Sequence, residues 1–158
     1  MLNIGVIGCG YWGPNLIRIL SNIKSVESIT ACDLNDSRLE VIKSNYPKVN
    51  ITKDYKSLIS NSSINTIVIA TPVSSHYKFA KEALESGKHV FIEKPLTQST
   101  EQAKELIKIA KDKNLTLMVG HTFEYTPAVK KIKELIDNDE LGEIYYISSQ
   151  RLNLGIFQ

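Results

Sequence analysis

The residues with the strongest claim to chemistry stand at the head of the chain. Gly8-Cys9-Gly10-Tyr11-Trp12-Gly13 spells G-x-G-x-x-G, directly after the apolar run Leu2 to Ile7 and at the opening of a helically spaced segment, Tyr11 to Leu20. In that setting each glycine has a separate task. Gly8 permits a tight strand-to-helix turn, and Gly10 lets the backbone approach a pyrophosphate where a side chain would collide. Gly13 lets the helix pack closely on the strand, so that its free N–H groups and positive dipole end face the phosphates. A second strand, Val26 to Asp33, ends on a carboxylate 20 residues beyond Gly13. An acid at that place accepts hydrogen bonds from both hydroxyls of an adenosine ribose and repels a 2′-phosphate, so the expected cofactor is NAD rather than NADP. The plainer reading of Asp33 is that it merely starts the next turn.

Such a constellation needs a sheet to hold it, and the rest of the chain supplies one. Trp12, Leu16, Ile17, Ile19 and Leu20 give the first helix an apolar face, and Pro14 falls in its first turn, where a missing N–H breaks no bond. Asn35 or Asp36 caps a helix reaching Tyr46, with Leu39, Val41 and Ile42 inward and Pro47 ending it. A short strand at Val49 to Thr52 and a brief helix at Tyr55 to Ser60 follow. Asn65 to Ala70 is almost continuously apolar and β-branched, as a central parallel strand must be, and it delivers Ala70-Thr71-Pro72 to the ligand end of the sheet. A helix from Ser74 or Ser75 through Ser86, with Phe79, Ala80, Ala83 and Leu84 inward, stops at Gly87. The strand His89 to Ile92 then presents Glu93-Lys94-Pro95. A helix from Thr100 to about Asn114, a buried strand from Leu115 to Gly120 reaching His121 to Tyr125, and a helix over Pro127 to Asp139 complete the order. Six β-α repeats predict an α/β fold with a doubly wound parallel sheet. Glu143 to Leu154 breaks the rhythm: it reads as a long strand with no partner, and a lone strand is unstable in water.

Composition narrows the classes. A chain of 158 residues, 42% apolar and 23% charged, suits one domain with a proper core. A net charge of +2 with acids and bases intermixed argues against a nucleic-acid partner, and no run of 18 apolar residues offers a membrane span. Met1-Leu2-Asn3 leads straight into the first strand without a basic signal region, and Cys9 and Cys32 form neither a disulfide framework nor a metal-ligand cluster. A cytoplasmic, reduced protein without a metal is expected.

Gly8-Cys9-Gly10-Tyr11-Trp12-Gly13, Asp33, Ala70-Thr71-Pro72 with His76, Glu93-Lys94-Pro95, and Gly120-His121 leading to Pro127 together resemble the glucose-fructose oxidoreductase / inositol 2-dehydrogenase / rhizopine-catabolism (Gfo/Idh/MocA) family, over the length from Leu2 onward. Within it, Gly10 to Asn15 and His121 to Tyr125 look most like members acting on nucleotide-linked sugars. The resemblance implies a Rossmann NAD-binding domain over residues 1–122, a connecting helix over 123–142, and the start of a truncated substrate and oligomerisation domain over 143–158. It implies that Gly8, Gly10, Tyr11, Trp12 and Gly13 hold the pyrophosphate and Asp33 the ribose. Ala70, Thr71, Pro72 and His76 would line the cofactor beyond the switch point, with Glu93 at the nicotinamide end and Lys94 at the reacting hydroxyl of a sugar or nucleotide sugar. Pro95 would follow through a cis peptide that aims Lys94 into the cleft, and the full-length form would be a homo-oligomer. Two departures stand out: Glu124 occupies a place where the family more often has arginine, and the Asp-x-x-x-His pair of the family's second domain is missing. The family ordinarily has about twice this length, as two domains require.

Oxidising a carbinol means removing its O–H proton as hydride leaves. A lysine partly desolvated beside a cationic nicotinamide should have a depressed pKa and can take or relay that proton. This gives Lys94 the catalytic role. The isolated chain is thus expected to bind NAD without turnover. The rival class is a non-catalytic NAD-binding sensor or subunit completed by a partner chain that docks on the tail strand. A methyltransferase fits less well, because the first strand ends without an acid and Glu93-Lys94-Pro95 has no use there.

Overall fold

The computed structural model describes residues 1–150. They form two compact units, the first ending at Gly120 and the second beginning at His121. In the first, strands β1 (Leu2–Ile7), β2 (Val26–Cys32), β3 (Asn50–Thr52), β4 (Thr66–Ile69), β5 (His89–Ile92) and β6 (Leu117–Val119) make one sheet, ordered β3-β2-β1-β4-β5-β6. Every pairing is parallel. The order reverses between β1 and β4, which opens a crevice at their carboxyl ends, the place where ligands bind in open α/β sheets.

Helices α1 (Gly13–Leu20), α2 (Asp36–Asn45), α3 (Tyr55–Ser60), α4 (Val73–Glu85) and α5 (Thr100–Asp112) cover the sheet. Two cores result because alternate strand residues point to opposite faces. Ile4, Val6 and Val68 pack with Ile17 of α1 and Leu39 and Ile42 of α2. Ile7, Ile67 and Ile69 pack with Leu58 of α3, Ala80, Ala83 and Leu84 of α4, and Leu106 and Ala110 of α5. Side-chain caps place several helix starts. Asn35 Oδ1 accepts from the Ser37 and Arg38 N–H groups at 2.9 and 3.3 Å, which makes Asn35 rather than Asp36 the cap of α2. Asp54 and Ser99 do the same for α3 and α5. Helix α4 begins at Val73, one residue before the serines expected to open it.

Some expected inward residues face out. Val41 and Ile19 are each at least half exposed. With about 100° between successive helix residues, Leu39 and Ile42 share a face that Val41 cannot also reach. Strand β6 is shorter than Leu115 to Gly120 and lies at a sheet edge, so Met118 is partly exposed rather than buried.

In the second unit a 3-10 turn, Thr122–Tyr125, precedes helix α6 (Pro127–Asp137). The long strand expected from Glu143 is not formed over residues 143–150, which are exposed and without regular structure. Among the described residues the second unit contains no strand to take its N–H and C=O groups, so an extended segment there has nothing within the unit to pair with. Residues 151–154 of that expected strand lie outside the described residues. No helix among the described residues is long and apolar enough to cross a membrane.

Candidate functional site

A cavity of about 1310 Å³ occupies the crevice at the carboxyl ends of β1, β2, β4 and β5. It exceeds the ~300–1,000 Å³ of ordinary small-molecule pockets, as a dinucleotide requires. Its floor is the loop after β1. Gly8 has φ +100°, a left-handed conformation that disfavours any side chain, and a Cβ there would stand 2.6 Å from the Ala70 carbonyl oxygen. A Cβ on Gly13 would stand 2.1 Å from the Gly8 carbonyl oxygen, so α1 can start this close to the turn only with glycine. Gly10 differs. A Cβ there would meet nothing nearer than Arg38 Nη1 at 3.8 Å, and Gly10 lines the cavity. The protein's own packing therefore leaves room for a side chain at Gly10, and the missing Cβ keeps open the space a ligand's phosphates would fill.

Asp33 closes one end. Its Oδ2 accepts from the Cys9 N–H at 2.8 Å and its Oδ1 from the Asn35 N–H at 2.9 Å, while Arg38 Nη1 lies 3.5 Å from Oδ2. A carboxylate offers about four lone-pair positions, so two remain for a pair of vicinal hydroxyls. The Asp33 side chain is only 9% exposed, and the residue lines the cavity. Sequence reasoning did not find Arg38. The signal was its position five residues past Asp33, which brings the first turn of α2 back over the carboxylate. Lys53, Tyr55, Lys78 and Phe79 also line the cavity unforeseen; Lys78 Nζ sits 5.5 Å from the Tyr55 ring centroid.

Tyr11 and Trp12 stand on the cavity wall, edge to face with centroids 5.4 Å apart, both substantially exposed. Trp12 belongs here rather than to the buried face of α1. Ala70, Thr71 and Pro72 form the opposite wall, with Glu93 and Lys94 beyond. The Lys94–Pro95 peptide is cis. Glu93 Oε2 accepts from the Lys94 N–H at 3.3 Å. Lys94 is exposed, and its ammonium has no hydrogen bond or ion pair among the described residues, so the desolvation argued for it is not provided by the cavity.

Gly13 and His76 are the two expected site residues that do not line the cavity. Gly13 serves through backbone packing. His76 is 1% exposed, and its ring lies behind the wall between two carbonyl groups. His89 is a backbone acceptor, taking the Thr116 N–H on Nδ1 at 3.0 Å. Cys9 and Cys32 are buried free thiols. Burial, reinforced by the Asp33 carboxylate, pushes Cys9 up to about 12 and Cys32 up to about 11, so neither is a nucleophile near neutrality.

Comparisons with known proteins agree with this geometry. The chain is 32% identical over 138 residues to a Bacillus subtilis protein described as "Uncharacterized oxidoreductase YrbE", covering 87% of this chain and 40% of that one. It is likewise 32% identical over 148 residues to "Uncharacterized oxidoreductase YdgJ" of Escherichia coli, covering 94% and 42%. Among solved structures, the myo-inositol 2-dehydrogenase of Lactobacillus plantarum superposes with a TM-score of 0.81 at 30% identity, over 90% of this chain and 43% of that one. The chain spans about two fifths of the length of these relatives. The family model described as "Oxidoreductase family, NAD-binding Rossmann fold" (GFO_IDH_MocA) matches residues 2–121, and with the 3-2-1-4-5-6 sheet and the glycine loop on its floor, the chain belongs to that family.

Proposed function

We propose that this chain is the cofactor-binding part of an enzyme that oxidises a hydroxyl of a sugar or nucleotide sugar by hydride transfer to NAD. The observation that carries the cofactor half is Gly10, whose missing Cβ keeps open a space that the protein itself does not fill. Within the loop the Gly8 and Cys9 N–H groups are held by the Cys32 carbonyl and Asp33, so Gly10, Tyr11 and Trp12 offer theirs to the pyrophosphate, and Asp33 takes the ribose hydroxyls on its two free acceptor positions. Ala70, Thr71 and Pro72 support the far half of the dinucleotide, and Glu93 stands toward the nicotinamide. NAD, when bound, supplies the hydride acceptor.

Lys94 holds or moves the proton of the substrate hydroxyl through Nζ. Its ammonium is uncommitted to any partner in this unit and stands on the cavity wall, where a hydroxyl beside the dinucleotide would lie. Water must be excluded around that ammonium for the proton transfer to be efficient. The part of the longer relatives that this chain does not match would supply such a cover, together with the sugar contacts. The myo-inositol dehydrogenase among the similar structures supports a polyhydroxylated ring as the substrate class. In the longer protein, residues from 143 onward begin the second domain, and the assembly is a cytoplasmic homo-oligomer.

Calorimetric titration of the chain with NADH and with NADPH tests the cofactor reading. Binding of NADH, tighter than of NADPH, is the expected result. No binding of either below millimolar concentration would overturn it. The chain alone should turn over no sugar, and an appreciable rate on a sugar or nucleotide sugar would contradict the division of labour proposed here.

A further inference from the structure

We propose that His76 is a positioning residue that carries both ring protons and, as an imidazolium, ties the two loops of the cavity wall together. It resides in the first turn of α4 with 1% of its surface exposed. Nδ1 lies 2.8 Å from the Pro95 carbonyl oxygen, and Nε2 lies 2.8 Å from the Thr71 carbonyl oxygen. Carbonyl oxygens only accept. A neutral imidazole has one N–H and one bare nitrogen, so it would satisfy one of these contacts and set a lone pair against an oxygen in the other. In a buried site that arrangement is doubly unfavourable, since the second carbonyl also loses its donor. The imidazolium donates to both, and both bonds become charge-assisted.

The two acceptors belong to different loops. Thr71 follows β4 and Pro95 follows β5, and Thr71 and Lys94 each present a surface to the cavity. The ring therefore fixes the spacing between the wall that supports the dinucleotide and the segment that carries the reacting ammonium. This inference rests on the preceding reading for the role of Lys94, whereas the bridge itself depends only on the geometry of His76.

The experiment is nitrogen NMR on the cofactor-free chain at neutral pH, where three histidines make assignment of the ring simple. Two protonated ring nitrogens with similar shifts are the expected signature of His76. One protonated and one bare nitrogen, widely separated in shift, would overturn the proposal. The same chain is then titrated with NADH beside a His76→Gln variant, whose amide can donate to one carbonyl but cannot reproduce the two-nitrogen bridge. A loss of affinity of about tenfold is expected in a folded variant, with the backbone amide shifts of Thr71 and Leu96 displaced. Unchanged NADH affinity and unchanged shifts would overturn the proposal. If the variant does not fold, the ring signature of the unmodified chain alone decides. An unmodified chain that shows the imidazolium but binds no NADH would overturn the proposed function and support the bridge.

Discussion

Replacing Gly10 and Gly13 in turn by alanine separates a glycine demanded by ligand from one demanded by fold. At Gly13 the new Cβ would lie 2.1 Å from the Gly8 carbonyl oxygen and 3.0 Å from its carbon. Both are backbone atoms in the turn that starts α1, so relief requires the loop or the helix to move. Overpacking of this kind costs about 1–3 kcal/mol and at times more. At about 2–4 °C per kcal/mol for a chain of this size, Gly13→Ala should lower Tm by roughly 2–12 °C. At Gly10 the Cβ meets only the end of the flexible Arg38 side chain at 3.8 Å, and the backbone there is not left-handed. Gly10→Ala should stay within about 0.5 kcal/mol of the parent, while its methyl occupies the phosphate space and weakens NADH by at least about tenfold, or 1.4 kcal/mol. Circular-dichroism melting and calorimetric titration of the three proteins provide the readout. A Gly10→Ala chain that binds NADH like the parent, or a Gly13→Ala chain that melts like it, would refute the reasoning.

Asp33→Ser should weaken NADH by about 10- to 100-fold, through loss of a charged acceptor, and strengthen NADPH by releasing Arg38; titration with both coenzymes measures the crossover. Lys88 is buried, with Nζ donating to the Asn61 and Ile64 carbonyls at 2.8 and 2.6 Å, so Lys88→Met should cost about 2–4 kcal/mol, visible as a lower urea midpoint. Burial raises Cys9 to about 12 and Cys32 to about 11 from an ordinary value of 9.0. The unfolded chain then gives up these protons first, so between pH 9 and 11 stability falls by up to about 1.4 kcal/mol per pH unit for each thiol, and it is fully present below pH 9. Cys9→Ala with Cys32→Ala should flatten that slope in denaturant titrations over the same range. Trp12 is the chain's single tryptophan and lines the cavity, so NADH binding should quench its emission; a saturating titration without quenching would remove it from the site.

Much of the first unit was legible because its signals are local. Gly8, Pro14, Pro47 and Gly87 punctuate the chain, and the apolar β-branched run before Ala70 could hardly be anything but a central strand. Asp33 was found by counting from the glycines, since strand length and turn length together fix that distance. Residues whose roles depend on more distant geometry were harder. His76 carries a ring whose two nitrogens lie against carbonyl oxygens of two loops, 5 and 19 residues away, and nothing in its neighbours along the chain announces that. Arg38 and Lys78 come from helices whose orientation over the cavity depends on packing. At the other end, Tyr145, Tyr146 and Ile147 have the composition of a strand, but a strand is made by its neighbour as much as by itself, and these residues remain exposed.

The two N–H groups that grip Asp33 also have a thermodynamic consequence. An unrestrained side chain gives up about 0.5–1.5 kcal/mol of rotamer freedom when it is immobilised against a ligand. With Cys9 and Asn35 already holding both oxygens, that loss falls on folding, and none of it is left for the binding step. Cys9 lies within the phosphate loop and Asn35 caps α2, so the carboxylate ties the loop to the start of the helix. A dinucleotide that seats its phosphates therefore finds the ribose acceptor already in register.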